Sequence, residues 1–189
     1  MKRMWLCALG VCVGVAASAT AAEAQMSMRA FRGYFTGQAG WMSGGDVTTT
    51  VLMPGAAISV QEDNGWGAEV DFGYAADVET GRQSLDVVTY MVNGNWIQPR
   101  GRIRPYVSAG GGVLQIDGCD VPCTRSAETF DLGLNGGGGV FVAFRDTVAV
   151  RGDVRYFRTL ADHPELGRPE NFSFWRVSLG VTFLWVSVP

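Results

Sequence analysis

The chain has 189 residues, a formal net charge of −3, 47% hydrophobic and 17% charged residues, enough for one domain with a sizeable core and no basic excess of the kind a nucleic-acid surface needs. Glycine is abundant, at 26 residues, but follows no triplet period, which excludes collagen. Past the first residues no stretch approaches the about twenty apolar residues of a spanning helix, so a membrane could be entered only as a closed barrel.

Lys2 and Arg3 precede an apolar run from Met4 to about Ala17, and small residues lead to Ala22-Glu23-Ala24. This reads as a secretory signal peptide over 1–24, with one domain over 25–189 and strands at about 31–185. Beyond the cut every cation is an arginine.

Period-two alternation then marks eight strands. The first, Phe31 to Trp41, sets Phe35 and Trp41 against Arg32, Tyr34, Thr36 and Gln38. The second, roughly Leu52 to Gln61, is interrupted by Pro54 and Gly55. In the third, Trp66, Val70, Phe72 and Tyr74 oppose Glu69 and Asp71. The fourth spans about Leu85 to Trp96, and Asp86 breaks its pattern near a start that lies above any lipid. Ile103 to Ile116 and Thr129 to Phe144 are the fifth and sixth, both glycine-rich. The seventh, about Thr147 to Thr159, opposes Val148, Val150 and Val154 to Arg151, Asp153 and Arg155.

The eighth strand, Trp175 to Trp185, decides which solvent the oily faces meet. Trp175, Val177, Leu179, Val181, Phe183 and Trp185 share one face, with Arg176, Ser178, Gly180 and Thr182 on the other. Aromatics at both ends of an aliphatic band of about ten residues match a tilted strand crossing a bilayer. Ser178, Gly180, Phe183 and Trp185 also resemble the C-terminal assembly signal of bacterial outer-membrane barrels, although Val186 to Pro189 follow it. Short polar turns after strands two, four and six alternate with longer loops, Met42–Val51, Ala75–Gln83, Asp117–Glu128 and Leu160–Phe172. That asymmetry is the one expected of an outer-membrane barrel with its short turns in the periplasm.

The inward faces gather Glu69, Asp71, Asp131 and Asp153 with Arg32, Arg104, Arg151, Arg155 and Arg176. Enclosed charges must be paired or wet, so an interior ion-pair network is expected of Glu69, Asp71, Asp131, Arg151, Asp153, Arg155 and Arg176. Its bland role is to plug the lumen and hold register; a gated ion path is the functional alternative. A soluble ligand-binding barrel would have the opposite polarity, with apolar residues inside. The runs Gly110–Gly112 and Gly136–Gly139 lack the Gly-Lys-Ser/Thr of a phosphate loop and read as bends that make room for Tyr106 and Phe141. Cys119 and Cys123 form a disulfide candidate in an oxidising compartment; with His163 they fall short of a metal site. No catalytic residue, cofactor or metal is expected, and the acidic excess of the long loops, Asp46 and Asp117 included, is read first as solvation.

Together, Phe31 to Trp185 resemble the small eight-stranded outer-membrane barrels, the family of OmpA-like transmembrane domains, OmpX and the opacity proteins. Besides the eighth-strand signal, Arg104-Pro105-Tyr106-Val107-Ser108-Ala109-Gly110-Gly111-Gly112 is similar to the Pro-Tyr-x-x-x-Gly-Gly stretch of that family's fifth strand. The peptidoglycan-binding domain of full-length OmpA is not matched, so no cell-wall tether follows. The resemblance implies an all-β, up-and-down transmembrane barrel of a Gram-negative cell outer membrane. It implies a non-enzymatic, monomeric protein with an envelope-structural or adhesin-like role carried by its loops. Its partners would be outer-membrane lipid, lipopolysaccharide, the barrel-assembly machinery and a host or neighbour surface protein. The alternatives are a small-solute channel, a lipid A-modifying barrel enzyme and a soluble periplasmic binding barrel.

Overall fold

Period-two segments become eight antiparallel strands in the computed structural model, which describes residues 31–80, 84–119, 126–160 and 171–188. They are β1 (Phe31–Gly44), β2 (Val47–Glu62), β3 (Trp66–Glu79), β4 (Ser84–Ile97), β5 (Ile103–Cys119), β6 (Ser126–Arg145), β7 (Val148–Thr159) and β8 (Ser173–Val188). Each strand pairs with its sequence neighbours, and β1 pairs with β8 to close the barrel. The expected signal peptide lies outside the described residues.

Every strand contributes to an outward apolar belt: Phe35, Ile58, Val70, Val92, Val107, Leu132, Val154 and Leu179 are all exposed. Aromatics border it at both ends. Trp66 and Trp96 are cross-strand partners at the end carrying the short turns and both termini, while Trp41, Tyr90 and Trp175 stand toward the other. A belt that runs around a whole barrel exceeds the few hundred Å² of contiguous apolar surface usual on a soluble monomer. It is stable against hydrocarbon and not against water. The soluble-barrel alternative, with apolar residues inside and charges outside, is thereby set aside.

The strands run past the belt, and here the expected loops are corrected. Met42–Val51 is not a loop. β1 and β2 continue through Met42↔Val51 and turn at Gly44 and Gly45, whose φ values of +71° and +63° suit glycine. Ala75–Glu79 likewise belongs to β3, with Val78↔Leu85 and Glu79↔Ser84 paired, and Asp117 pairs with Glu128. Above the lipid the alternation reverses. Val47, Val78, Leu85 and Ile116 are buried inward, while Thr48, Asp77 and Glu79 face solvent. A search for outward apolar residues ends where lipid ends, although the strands do not.

The second strand owes its faint pattern to Pro54. The Met53 carbonyl lies against Gly40 of β1 and the Val60 carbonyl against Gly67 of β3. By alternation, the nitrogen of Pro54 therefore faces β3 without a hydrogen to donate. The β2–β3 ladder accordingly runs only from Gln61↔Gly67 to Gly55↔Gly73, while β1–β2 pairing continues past it.

Two glycines mark the closest strand approaches. A Cβ on Gly112 would lie 1.9 Å from the Tyr90 carbonyl oxygen, and one on Gly139 the same distance from that of Gly152. We expect Gly112→Val and Gly139→Val to abolish the compact, faster-migrating band of unboiled protein in gel electrophoresis. Gly94→Ala should leave that band intact, because nothing lies within 4 Å of its Cβ position.

Candidate functional site

Strict alternation sends Glu69 and Asp71 of β3, Arg151, Asp153 and Arg155 of β7 and Arg176 of β8 into the middle of the lumen, each at most 3% exposed. Arg151 donates from Nη1 to Glu69 Oε2 at 2.5 Å and from Nη2 to Oε1 at 3.2 Å. Arg155 Nη2 reaches Glu69 Oε1 at 2.6 Å, and its Nε lies 3.0 Å from both Asp153 oxygens. Arg176 grips Asp71 with two bonds, at 2.8 and 3.0 Å, and Gln38 Nε2 donates to the same carboxylate at 2.8 Å. Tyr106 joins β5 to the cluster by donating to Asp153 Oδ2 and accepting from Arg151 Nε at 2.8 Å. Its charges balance, and bidentate guanidinium–carboxylate geometry is the arrangement that offsets the cost of desolvating both ions.

Rings flank the cations. The Arg151 guanidinium lies 4.8 Å from the Tyr106 ring centroid and 5.2 Å from that of Phe141, and Arg176 lies 5.0 Å from Phe157. Toward the long-hairpin end an apolar layer fills the lumen, with Met42, Met53, Val87, Leu114, Phe157 and Phe174 all fully buried. Phe157 and Phe174 stack at 4.8 Å with rings 6° apart. Toward the short turns Tyr106, Phe141, Ile97 and Ala149 form a second apolar cluster, and the lumen then opens into a mouth. The β4–β6 side differs: Asn93 and Asn135 are buried with no hydrogen-bond partner among the described residues at either amide atom.

The remaining candidates separate. Asp131 is buried on the inner face of β6, opposite Leu114. Ser178 is buried and donates to Gln38 Oε1 at 3.4 Å, whereas Phe183 and Trp185 of the assembly signal face outward from the same strand as Gly180. Arg32, expected inside, is 44% exposed and pairs at the rim with Asp63 at 3.1 Å, because it lies one residue from the strand end. Asp46, expected as a solvated loop acid, instead accepts from the Ser173 backbone and hydroxyl at 2.8 and 3.0 Å and ties the first hairpin to β8. Cys119 ends β5, while Cys123 and His163 lie outside the described residues. Among the described residues no three His, Cys, Asp or Glu side chains are grouped to hold a metal. The apolar layer was missed from sequence. Its signal was present in the inward positions Met42, Met53 and Met91, of which Met42 was assigned to a loop and Met91 to a polar face.

Truncating one member of this network leaves a buried ion without its partner, a loss of about 3–5 kcal/mol. Glu69→Ala should therefore lower the urea midpoint of tryptophan fluorescence markedly. Arg176→Met combined with Asp71→Leu should cost less than the sum of the two single changes, because the pair is coupled.

A family model described as "Outer membrane protein beta-barrel domain" matches residues 6–183. No curated protein matches the chain. Among solved structures, Neisserial surface protein A is similar with a TM-score of 0.58 and 14% identity, over 82% of this chain and 99% of its own. Ail, the attachment invasion locus protein of Yersinia pestis, is similar with a TM-score of 0.51 and 13% identity, over 84% of this chain and 100% of its own. The E. coli outer membrane protein W gives 0.52 and 14%, over 84% and 100%. At such identities these likenesses speak for the fold, and the family match adds the location: this chain belongs to the outer membrane protein beta-barrel family and resides in the outer membrane.

Proposed function

We propose that this barrel is a non-enzymatic envelope protein whose lumen is a structural plug and whose extracellular hairpins carry surface recognition. The observation that supports this reading most is the filled interior. A closed Glu69–Arg151–Arg155–Asp153 network lies beneath a fully buried layer of Met53, Leu114, Phe157 and Phe174. Within this network each charge is held by another, and none is poised for a substrate. The surface available to a partner is then the hairpin region beyond the lipid belt, where Thr48, Asp77 and Glu79 face outward. Ail's name speaks of attachment, and an adhesin-like role with a host or neighbour surface protein, or with lipopolysaccharide, is the corresponding proposal here.

A second reading, a small-solute channel, draws on Asn93 and Asn135, whose unpartnered amides are of the kind that bind water inside a lumen. The apolar layer weighs against it, because an ion would have to shed its hydration there. A lipid A-modifying activity has no supporting constellation among the described residues.

Reconstitution in planar bilayers separates these readings. The plug reading expects no conductance steps from the wild-type barrel. Steps that vanish in Arg151→Met would replace it with the channel. Cells displaying the protein should also lose attachment to a host matrix when the Gly44–Asp46 turn and residues 80–83 are exchanged for Asn-Gly, with the heat-dependent gel shift retained. Unchanged attachment would remove the recognition role.

A further inference from the structure

Interior guanidiniums in this barrel come with carboxylates. Arg151, Arg155 and Arg176 have oxygens at 2.5, 2.6 and 2.8 Å, and at the rim Arg32 has Asp63 at 3.1 Å. Arg104 is the exception among the described residues. It stands on β5 two positions before Tyr106, on the same inward face, and makes neither an ion pair nor a hydrogen bond to another described residue. Its Nε is buried. A buried guanidinium nitrogen without a partner carries a standing cost that an anion within its reach would relieve.

Arg104 borders two hollows at the periplasmic mouth. The larger one brings a second guanidinium, Arg145, together with the polar side chains of Tyr34, Gln61 and Thr182. Asp146 is its single carboxylate, and it is exposed. Behind them the wall is apolar, made of Phe141, Ile97 and Leu184. Phe141 belongs to the layer that closes the mouth off from the ion pairs above. Cation in front and hydrocarbon behind is the complement of an amphipathic organic anion.

We propose that the periplasmic mouth is a binding site for a small organic monoanion, a carboxylate with a short apolar tail. The carboxylate is held by Arg104 with Arg145 beside it, and the tail lies against Phe141 and Ile97. The ion-pair cluster and the apolar layer beyond it make this a dead-end site entered from the periplasm, independent of what the extracellular hairpins recognise.

The test uses the isotope-labelled full barrel in zwitterionic nanodiscs, titrated with hexanoate and followed by amide chemical shifts. Saturable shifts are expected at residues 104, 141, 145 and 182, with affinity lowered at least tenfold by Arg104→Gln and partly restored by Arg104→Lys. Hexanol and hexylammonium, with the same tail, should produce no saturable shift at these positions, and inorganic phosphate should bind more weakly than hexanoate. The proposal is overturned if hexanoate does not saturate, if Arg104→Gln binds like wild type, or if hexanol matches hexanoate. Phosphate binding as tightly as hexanoate would remove the apolar half of the site. Should Arg104→Gln lose the heat-dependent gel shift that reports folding, Arg145→Gln takes its place, with weakened hexanoate binding as the expected result and unchanged binding as the refutation.

Discussion

In hydrocarbon a charge has no solvent to fall back on, and the bond between Glu69 and its two arginines is this barrel's answer. Glu69 accepts from Arg151 at 2.5 Å and from Arg155 at 2.6 Å. Its neighbour on the same face, Asp71, accepts from Arg176. These contacts bind β3 to β7 and β8 across the lumen, between strands that share no main-chain ladder. A one-residue slip in any of the three would turn its charges toward lipid. The network therefore specifies register as well as closing the interior, and it does so with balanced charge. That a buried ion pair adds specificity more readily than stability is the general expectation, and here the specificity is geometric.

Around that level the lumen is layered. Tyr106 and Phe141 floor it toward the periplasm, while Met42, Met53, Leu114, Phe157 and Phe174 seal it toward the outside. The same strands have two polarities along their length. Within the belt they are apolar outside and polar inside, as lipid demands. Beyond it they are polar outside and apolar inside, as any β-structure in water is. The reversal is a change of solvent read along one strand, and it gives the extracellular hairpins a core of their own. The tie from Asp46 to Ser173 adds to their order. These hairpins stand on a rigid wall beneath them, and the periplasmic mouth is separated from them by every layer in between.

Much of this was legible beforehand. Alternation around Glu69, Asp71, Arg151, Asp153 and Arg155 placed each on the inner face, and Trp175 to Trp185 disclosed the lipid. The assignments missed were those where the rule being applied had stopped holding. Met42–Val51 was read as a loop because its outward residues are not apolar, though they need not be above the membrane. The strand through Pro54 looked broken because one of its two ladders is broken there. Arg32 carried the inward parity of its strand and still reached solvent, since parity says nothing about the distance to a strand end.

What the amino-acid sequence determined by itself was the solvent of each face, because period two is a local property that every residue carries with its neighbours. It determined as well how many strands there are, since the turn residues between them are local too. What only the tertiary structure decided is which charges meet. Arg151 and Arg155 could each have faced any inward carboxylate, and the choice of Glu69 follows from the stagger of strands around a closed barrel. The layering of the lumen and the isolation of Arg104 are decided in the same way. They depend on which inward residues of eight strands come to one height, and that height is set by register and closure, properties that no single segment possesses.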